Sequence, residues 1–353
     1  DYFKAITTSG ALRSMWEFEN EGFFTAGMGH MLRFALTTLS GPGDPAAEAD
    51  FMFQGHDIAD LADPNRHFTL SAEDVETINP NTGTCPIFQT KRDASIALTI
   101  YGRAGVLWRE NDPDGNPWGL RFMAMFHMAN ASGLFRTRGE LVAAGWELDG
   151  SRFVQDNRTM LALYEAKMVY MYNHRSGTFE EAASGDRPHR LPTPSEQQLA
   201  DPNYTTLPCY WVSRQEVEAK LDDVWDRDWL LGWRDVTDAR ASVRTVVACV
   251  IPRAAVNDKF PLMLPSTDPR SITALYANLC SLPFDYCARQ KIGGISLKYF
   301  TMRQLPALPP SRYASPSPWS ADQTVREWLL PRVLELTYTA WDLKPFAEDC
   351  GDN

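Results

Sequence analysis

Between residues 272 and 310 the chain runs Ile272-Thr-Ala-Leu-Tyr-Ala-Asn-Leu-Cys-Ser-Leu-Pro-Phe-Asp-Tyr-Cys-Ala-Arg-Gln-Lys-Ile-Gly-Gly-Ile-Ser-Leu-Lys-Tyr-Phe-Thr-Met-Arg-Gln-Leu-Pro-Ala-Leu-Pro-Pro310. Its first part repeats apolar residues at three- and four-residue spacing, which predicts a helix from Ile272 to Arg289 with one buried side. Pro283 should kink or divide that helix, because proline lacks an amide donor and collides with the preceding turn. The second part predicts a short strand at Leu297–Phe300 and then a proline-rich exit.

The same stretch locally reverses the charge of the chain. The 353 residues carry 45 acidic and 34 basic side chains, a formal net charge of -11. From Tyr286 to Ser320 there is no acid, and the five basic residues are Arg289, Lys291, Lys298, Arg303 and Arg312. The field at a binding face is set by charges within a Debye length of about 8 to 10 Å, so this segment is a candidate phosphate-binding region in an acidic chain.

Length and composition limit the class of protein. A chain of 353 residues with 44% hydrophobic residues is long enough for a sizeable core and for two to three domains. It contains no apolar window of about eighteen residues and no signal-peptide pattern, which favours a cytoplasmic protein without membrane insertion. The six cysteines are scattered, as is typical of reduced thiols. Because the first residue is Asp1, we expect a fragment or a processed chain.

Periodicity and turn residues predict the other elements. Leu12–Asn20 and Arg33–Leu39 are typical of a hairpin at the edge of a partial sheet. Ser71-Ala-Glu-Asp74 is a capping pattern that predicts a helix ending before Asn79. Further elements are predicted as helices at Lys91–Tyr101, Ser132–Ala144, Arg214–Trp225 and Ala321–Ala340, a β-branched strand at Arg244–Pro252, and a flexible connector at Gly177–Ala200.

Motifs for catalysis are weak in this chain. An amino-group methyltransferase needs a glycine-rich turn for the methyl donor and an Asn/Asp-Pro-Pro-Tyr/Phe tetrapeptide, and the first is absent. The near-match to the second, Asp201-Pro-Asn-Tyr204, is better explained as a simple turn. The acidic segment Leu221–Asp228 has carboxylates that suit a divalent ion, but a solvated helix face explains it better. We therefore assign no catalytic residue and no metal site.

Several short sequence motifs, taken in order, resemble those of adenine-specific DNA methyltransferases. The family meant is the type IIG restriction-modification and phage-defence kind, including BREX- or DISARM-like systems. The first motif is the end of the predicted helix, Asp285-Tyr-Cys-Ala-Arg289, which is followed by Gly293-Gly294 and then by Gln304-Leu-Pro306. The other phrases are Leu12–Phe24 with Arg33–Leu39, Asn79–Phe88 with Arg92-Asp93, Leu163–Val169 with Asn173-His-Arg175, Leu207–Val212, and Trp233–Thr237 leading into Arg244–Ala248. Together they span nearly all of residues 12 to 310.

The resemblance implies an α+β fold of mixed sheet and helices, a partial methyltransferase-fold tail followed by a TaqI-like target-recognition domain. It implies three parts: the end of the catalytic domain at 1–60, a linking subdomain at 61–180, and the DNA specificity domain at 181–353. The family usually has Phe-Pro after the Glu-Gly turn, whereas this chain has Phe24-Thr25 and a Gly27-x-Gly29 insertion. The upstream catalytic half is missing, so the chain alone should be inactive.

The expected partner is double-stranded DNA, together with a catalytic methyltransferase domain from the same gene upstream or from a separate chain. The predicted DNA-contacting residues are Arg289, Lys291, Gly293, Gly294, Lys298, Arg303, Arg244, Arg253, Lys167 and Arg175, with the glycines letting backbone amides approach a phosphate. A basic, solvated rim around a turn is the simpler alternative for this cluster. S-adenosylmethionine is expected in the full-length enzyme and not in this chain. A non-catalytic specificity or scaffold subunit of a defence complex is the alternative function.

Overall fold

The computed structural model describes residues 2–20, 22–24, 32–41, 43–85, 87–181, 188, 190–239, 241–292 and 294–352. Within this part of the chain the fold is mixed α+β, with several small sheets. Its contacts form two compact units. Unit 1 comprises Asp1–Asn116, Tyr286–Gly293 and Phe300–Leu308, and unit 2 comprises Pro117–Asp285, Gly294–Tyr299 and Pro309–Asn353. The three-part division at residues 60 and 180 concerns functional parts and stays a prediction.

The elements are numbered in chain order. The helices are α1 Tyr2–Thr8, α2 Ala72–Ile78, α3 Lys91–Ala104, α4 Arg138–Ala143, α5 Glu196–Ala200, α6 Arg214–Leu221, α7 Pro269–Leu279, α8 Leu282–Lys291, α9 Tyr299–Arg303, α10 Pro310–Tyr313, α11 Val325–Thr337 and α12 Lys344–Asp349. The strands are β1 Leu12–Glu19, β2 Arg33–Leu39, β3 Glu48–Gly55, β4 Phe68–Ser71, β5 Arg121–Met123, β6 Glu147–Asp149, β7 Arg152–Gln155, β8 Arg158–Tyr164, β9 Trp211–Ser213, β10 Trp229–Trp233, β11 Ala248–Pro252, β12 Ala255–Val256, β13 Leu262–Leu264, β14 Pro316–Ser317 and β15 Ser320–Thr324.

Unit 1 is built on a four-stranded sheet in the order β2-β1-β3-β4. β1 is antiparallel to β2 and parallel to β3, and β3 is antiparallel to β4. The predicted hairpin is thus confirmed, with β2 as the outer strand, while the predicted Gly27-x-Gly29 insertion lies outside the described residues. The core of the unit joins Phe51, Phe53 and Phe68 of the sheet to the buried face of α3.

Unit 2 contains two larger sheets. One has the order β11-β10-β13-β5, and the other has the order β12-β8-β7-β6 with β9 paired to β8. Helix α7 packs against β11, as predicted for the apolar helix and the β-branched strand, although that strand is shorter than predicted. The four tryptophans Trp118, Trp211, Trp229 and Trp233 are almost fully buried in this unit.

The predicted helix from Ile272 to Arg289 is divided at Cys280–Ser281. α7 ends at Leu279, and Pro283 occupies the first turn of α8, where no intrahelical amide donor is needed. Ile272, Leu275, Tyr276 and Leu279 are buried as predicted. The prediction was wrong for Leu282, which is 72% exposed because it lies beyond the break.

The sequence patterns predicted some element boundaries correctly and others wrongly. Ser71 and Thr90 cap α2 and α3 with reciprocal side-chain bonds to Asp74 and Asp93, and this confirms both predicted helices. The predicted strand at Leu297–Phe300 was wrong, because Tyr299–Arg303 is helix α9. The helix predicted at Ser132–Ala144 is a short 3-10 turn at Ser132–Leu134 and then α4, with the chain extended at the cap residue Thr137.

Candidate DNA-contacting surface

The ammonium end of Lys291 is buried within unit 1, although the residue as a whole is half-buried. Its Nζ donates hydrogen bonds to Ile78 O at 2.7 Å, to Asn79 Oδ1 at 2.6 Å and to Gln304 O at 2.7 Å. The ammonium group also lies 4.6 Å from the centre of the Tyr101 ring. A lysine has three donors, and all three are used within the unit, so this ammonium group is directed away from solvent.

Burial has a clear electrostatic effect on Lys291. Removal from water penalises the charged form and holds the pKa of Lys291 well below its usual value, while the nearby Cys287 acts in the opposite direction. Burial likewise raises the pKa of the Cys287 thiol to about 12. Lys291 therefore connects α8 to the end of α2 and to the segment after α9, and it does so as a structural side chain.

The other two unit 1 cations predicted to contact DNA are also half-buried as residues. Arg303, at the end of α9, stacks on the Trp108 ring with its guanidinium carbon 4.3 Å from the ring centre, and it pairs with Glu110. Arg289 is half-buried in the last turn of α8. These two residues keep part of their surface accessible, and their contact with DNA stays a prediction.

The predicted glycine turn is described in part. Gly293 lies outside the described residues. Gly294 is exposed, has no atom within 4 Å of the position that a Cβ would take, and has a φ outside the left-handed region. Neither space nor backbone conformation therefore demands glycine at 294.

Arg175 and Arg244 in unit 2 are bound to backbone carbonyls. Arg175 is 1% exposed and donates to the carbonyls of Leu199, Asp201, Tyr204 and Thr339 at 2.8 to 3.0 Å. Arg244 donates to Cys280 O at 2.6 Å and pairs with Asp285, which also accepts from the amides of Thr245 and Val246. Both side chains therefore hold chain segments together.

Arg253 and Lys167 also have partners inside unit 2. Arg253 donates to the carbonyls of Trp225 and Arg227 and pairs with Asp222 at 2.9 Å. Lys167 donates to Pro188 O at 2.8 Å and lies 4.8 Å from the centre of the Phe179 ring. The basic residues predicted in unit 2 thus bind separate groups and do not form one cluster. Among them, Lys298 is the residue that lies in the loop 294–298.

Lys298 belongs to a cluster around the buried Asp235. Its Nζ donates to Asp235 Oδ2 at 2.6 Å, and the Nζ of Lys259 lies 3.9 Å from the same oxygen and 3.1 Å from Asp258 Oδ2. The Asp235 side chain is 1% exposed, whereas those of Lys298 and Lys259 are 49% and 46% exposed. The acid is therefore buried, and the two lysine side chains next to it are half-exposed. We call Asp235, Lys259, Lys298, Val236 and Ile295 the Asp235 surface.

The backbone holds this surface in a fixed geometry. The Leu297 amide donates to Asp235 O at 2.7 Å, and the Thr237 amide donates to Ile295 O at 2.9 Å. The indole of Trp233 donates to Leu297 O at 2.9 Å, and the Leu297 side chain is fully buried. The loop 294–298 is therefore anchored along the segment that follows β10.

Two further titratable groups, Tyr299 and Asp258, lie next to the Asp235 surface and have shifted pKa values. Burial raises the pKa of Tyr299 to about 12, and Asp235 and Asp258 add to the rise, so its hydroxyl stays protonated at neutral pH. Burial acts to raise the pKa of Asp258, but bonds from Lys259 and the Met128 amide outweigh it and lower that pKa. Asp235 Oδ1 and the Tyr299 hydroxyl are buried without a hydrogen-bond partner among the described residues.

Asp235 was not chosen as a site residue from the sequence. Lys259 is likewise not among the residues predicted from the sequence to contact DNA. The available signal was the acid inside Trp233-Arg-Asp-Val-Thr237, directly after an apolar segment. A single carboxylate at the end of a buried strand attracts cations from elsewhere in the chain, but the sequence does not say which ones.

The tetrapeptide Asp201-Pro-Asn-Tyr204 forms a turn, as predicted. The Tyr204 amide donates to Asp201 O at 3.2 Å, and Asp201 Oδ1 accepts from the Asn203 amide at 2.9 Å. The Pro202 carbonyl accepts from the Trp341 amide at 3.0 Å. The groups that would accept an amine in a methyltransferase are thus engaged in hydrogen bonds within unit 2.

Comparisons with known proteins add no relative: no protein-family model and no curated protein matches this chain. Within the described ranges, no group of three or more His, Cys, Asp or Glu side chains is arranged to hold a metal ion. None of the helices in the described part of the chain is long and apolar enough to cross a membrane.

Proposed function

We propose that this chain is the DNA-recognition portion of an adenine-specific DNA methyltransferase. It binds duplex DNA and positions the target adenine for methylation by a catalytic half outside this chain, which uses S-adenosylmethionine. The observation that carries the proposal is the Asp235 surface, where two half-exposed lysine side chains are held beside a buried carboxylate. The ordered resemblance of residues 12 to 310 to that family supports it.

Phosphate contact follows from the arrangement of charges. The cluster contains two lysines and two aspartates, but Asp235 is 1% exposed and the Asp258 side chain is 16% exposed. An approaching phosphate therefore meets the ammonium groups before it meets the acids. Duplex binding releases counterions as each phosphate is neutralised, so the affinity should fall steeply with salt.

The test is a double charge reversal, Lys259→Glu with Lys298→Glu, in the full chain. Gel shift and fluorescence anisotropy with a duplex at low salt should show affinity at least about tenfold weaker, and a shallower dependence on salt by about one unit per lysine. The matched control is Lys220→Glu with Lys344→Glu, which changes the net charge equally at two exposed lysines elsewhere in unit 2. Equal losses in both pairs would contradict a local DNA-contacting surface.

The second candidate function is a non-catalytic specificity or scaffold subunit of a defence complex. The outer strand β2 favours a protein contact, since its side chains from Ala35 to Leu39 are exposed and no described strand pairs with its outer edge. Size-exclusion chromatography and pulldown with a separate methyltransferase chain test this function. Stable association without duplex binding would support the scaffold and overturn DNA recognition.

A further inference from the structure

Two apolar side chains are exposed within the Asp235 surface. Ile295 is 66% exposed and Val236 is 47% exposed. They lie on adjacent backbone segments, because the Thr237 amide bonds to Ile295 O and Val236 forms a bridge with Ser296. Exposed apolar side chains flanked by lysines are not explained by packing of the core, which the neighbouring Leu297 already supplies.

The position of Ile295 is fixed by its own carbonyl, which accepts from the Thr237 amide, and by bonds of the residues that follow it. Leu297 is anchored by its amide to Asp235 O and by its carbonyl to the Trp233 indole, and Lys298 is anchored to the Asp235 side chain. Ile295 is itself β-branched and so has few side-chain conformations. The apolar group is therefore presented to solvent with little conformational freedom left to lose on binding.

We propose that Ile295, supported by Val236, is a wedge that inserts between adjacent base pairs of duplex DNA. This inference rests on the proposed DNA binding. Proteins that deform a duplex place aliphatic side chains between base steps, which unstacks and kinks the DNA. Lys298 follows Ile295 in the same loop and, with Lys259, contacts the phosphates beside the opened step. An opened step lowers the cost of extruding a base next to it.

The presence of Lys259 and Lys298 beside Ile295 favours a DNA duplex over an apolar protein surface as the partner. A protein that covered Ile295 with apolar side chains would remove water from the ammonium groups of Lys259 and Lys298 without replacing it. A duplex places stacked bases against the isoleucine and phosphates against the lysines at the same time. The combination of chemistry at the Asp235 surface thus fits duplex DNA better.

Insertion between base pairs unwinds DNA, so linking number measures it without knowledge of the recognition sequence. The full chain is bound at saturating concentration to nicked plasmid, the nick is ligated, and topoisomers are resolved after protein removal. The wild-type chain should shift the distribution toward lower linking number, and Ile295→Ala should lose most of that shift. Ile295→Met keeps an apolar group of similar volume and should retain it.

The controls separate failure of the wedge from failure of DNA binding. Val142→Ala truncates another exposed β-branched residue of unit 2, at 58% exposure, and should leave the shift unchanged. The Lys259→Glu, Lys298→Glu chain, whose affinity should be at least about tenfold weaker, should bind less plasmid at the same concentration and shift its linking number correspondingly less. A wild-type chain that binds the plasmid without changing its linking number overturns the wedge and leaves DNA recognition standing. Absence of plasmid binding by the wild-type chain overturns both.

Discussion

At Lys291 the hydration shell of an ammonium ion is replaced by three oxygens and the face of a tyrosine ring. Such a group is stable in the interior only while every donor has an acceptor, because an unpaired buried polar group costs about 1 to 3 kcal/mol. The three acceptors come from residues 78, 79 and 304, so one side chain joins three segments of unit 1.

We predict that Lys291→Met destabilises the protein by about 2 kcal/mol or more, because Ile78 O and Asn79 Oδ1 lose this donor, whereas Gln304 O still accepts from the Tyr101 hydroxyl. Urea unfolding followed by circular dichroism measures this loss. Lys220→Met, at an exposed position on α6, is the control and should change stability by less than about 0.5 kcal/mol. A Lys291→Met chain as stable as the parent would show that these bonds contribute nothing net.

The pH dependence of the free energy of unfolding should also show the effect of the lowered pKa of Lys291. Burial lowers its pKa from the ordinary 10.5, so between the lowered pKa and 10.5 the unfolded chain binds more protons than the folded one. The free energy of unfolding contributed by this group therefore rises with pH in that window. Burial raises the pKa values of Tyr101 and Cys287, so these two groups make the free energy of unfolding fall with pH. The measurement is therefore the difference in the free energy of unfolding between wild type and Lys291→Met at a series of alkaline pH values. A difference that does not grow with pH contradicts the prediction.

At the scale of elements, the break between α7 and α8 decides which residues of the apolar run are core. Leu279 is 1% exposed at the end of α7, and Leu282 is 72% exposed at the start of α8. We predict that Leu279→Ala costs about 2 to 5 kcal/mol through the cavity that it leaves. Leu282→Ala makes the same chemical change at an exposed site and should cost less than about 0.5 kcal/mol in thermal or urea unfolding. Similar losses for the two would place the break elsewhere.

The elements that could be predicted from the sequence are those with local causes. The caps at Ser71 and Thr90 and the break near Pro283 each depend on a few neighbouring residues. The strand predicted at Leu297–Phe300 failed because the backbone of residue 297 bonds to Asp235, far away in sequence, while Tyr299 begins a helix. For the same reason the charge pattern alone did not distinguish the interior Lys291 from the surface Lys298.

At the scale of the whole molecule, we do not expect this chain to bind a methyl donor by itself. The sequence lacks the glycine-rich turn, and the Pro202 carbonyl is already bonded to the Trp341 amide. We therefore predict that isothermal titration of the full chain with S-adenosylmethionine gives no stoichiometric binding, and that the chain alone does not methylate DNA. Addition of a separate catalytic chain should restore donor binding. A one-to-one binding isotherm for this chain alone contradicts the prediction.

The composition of unit 1 from three separate stretches has a consequence for synthesis on the ribosome. Residues 1–116 are made before the other two stretches of unit 1, and Lys291 and the Tyr101 partner Gln304 come after the whole of 117–285. Until then the carbonyl of Ile78 and the hydroxyl of Tyr101 lack their native partners. The long intervening segment adds to the entropy of closing the unit, although only slowly with length. Of the two units, unit 1 therefore begins first but is completed only after residue 304, and until then its phenylalanine-rich core lacks the packing of Cys287 and Tyr286 from α8.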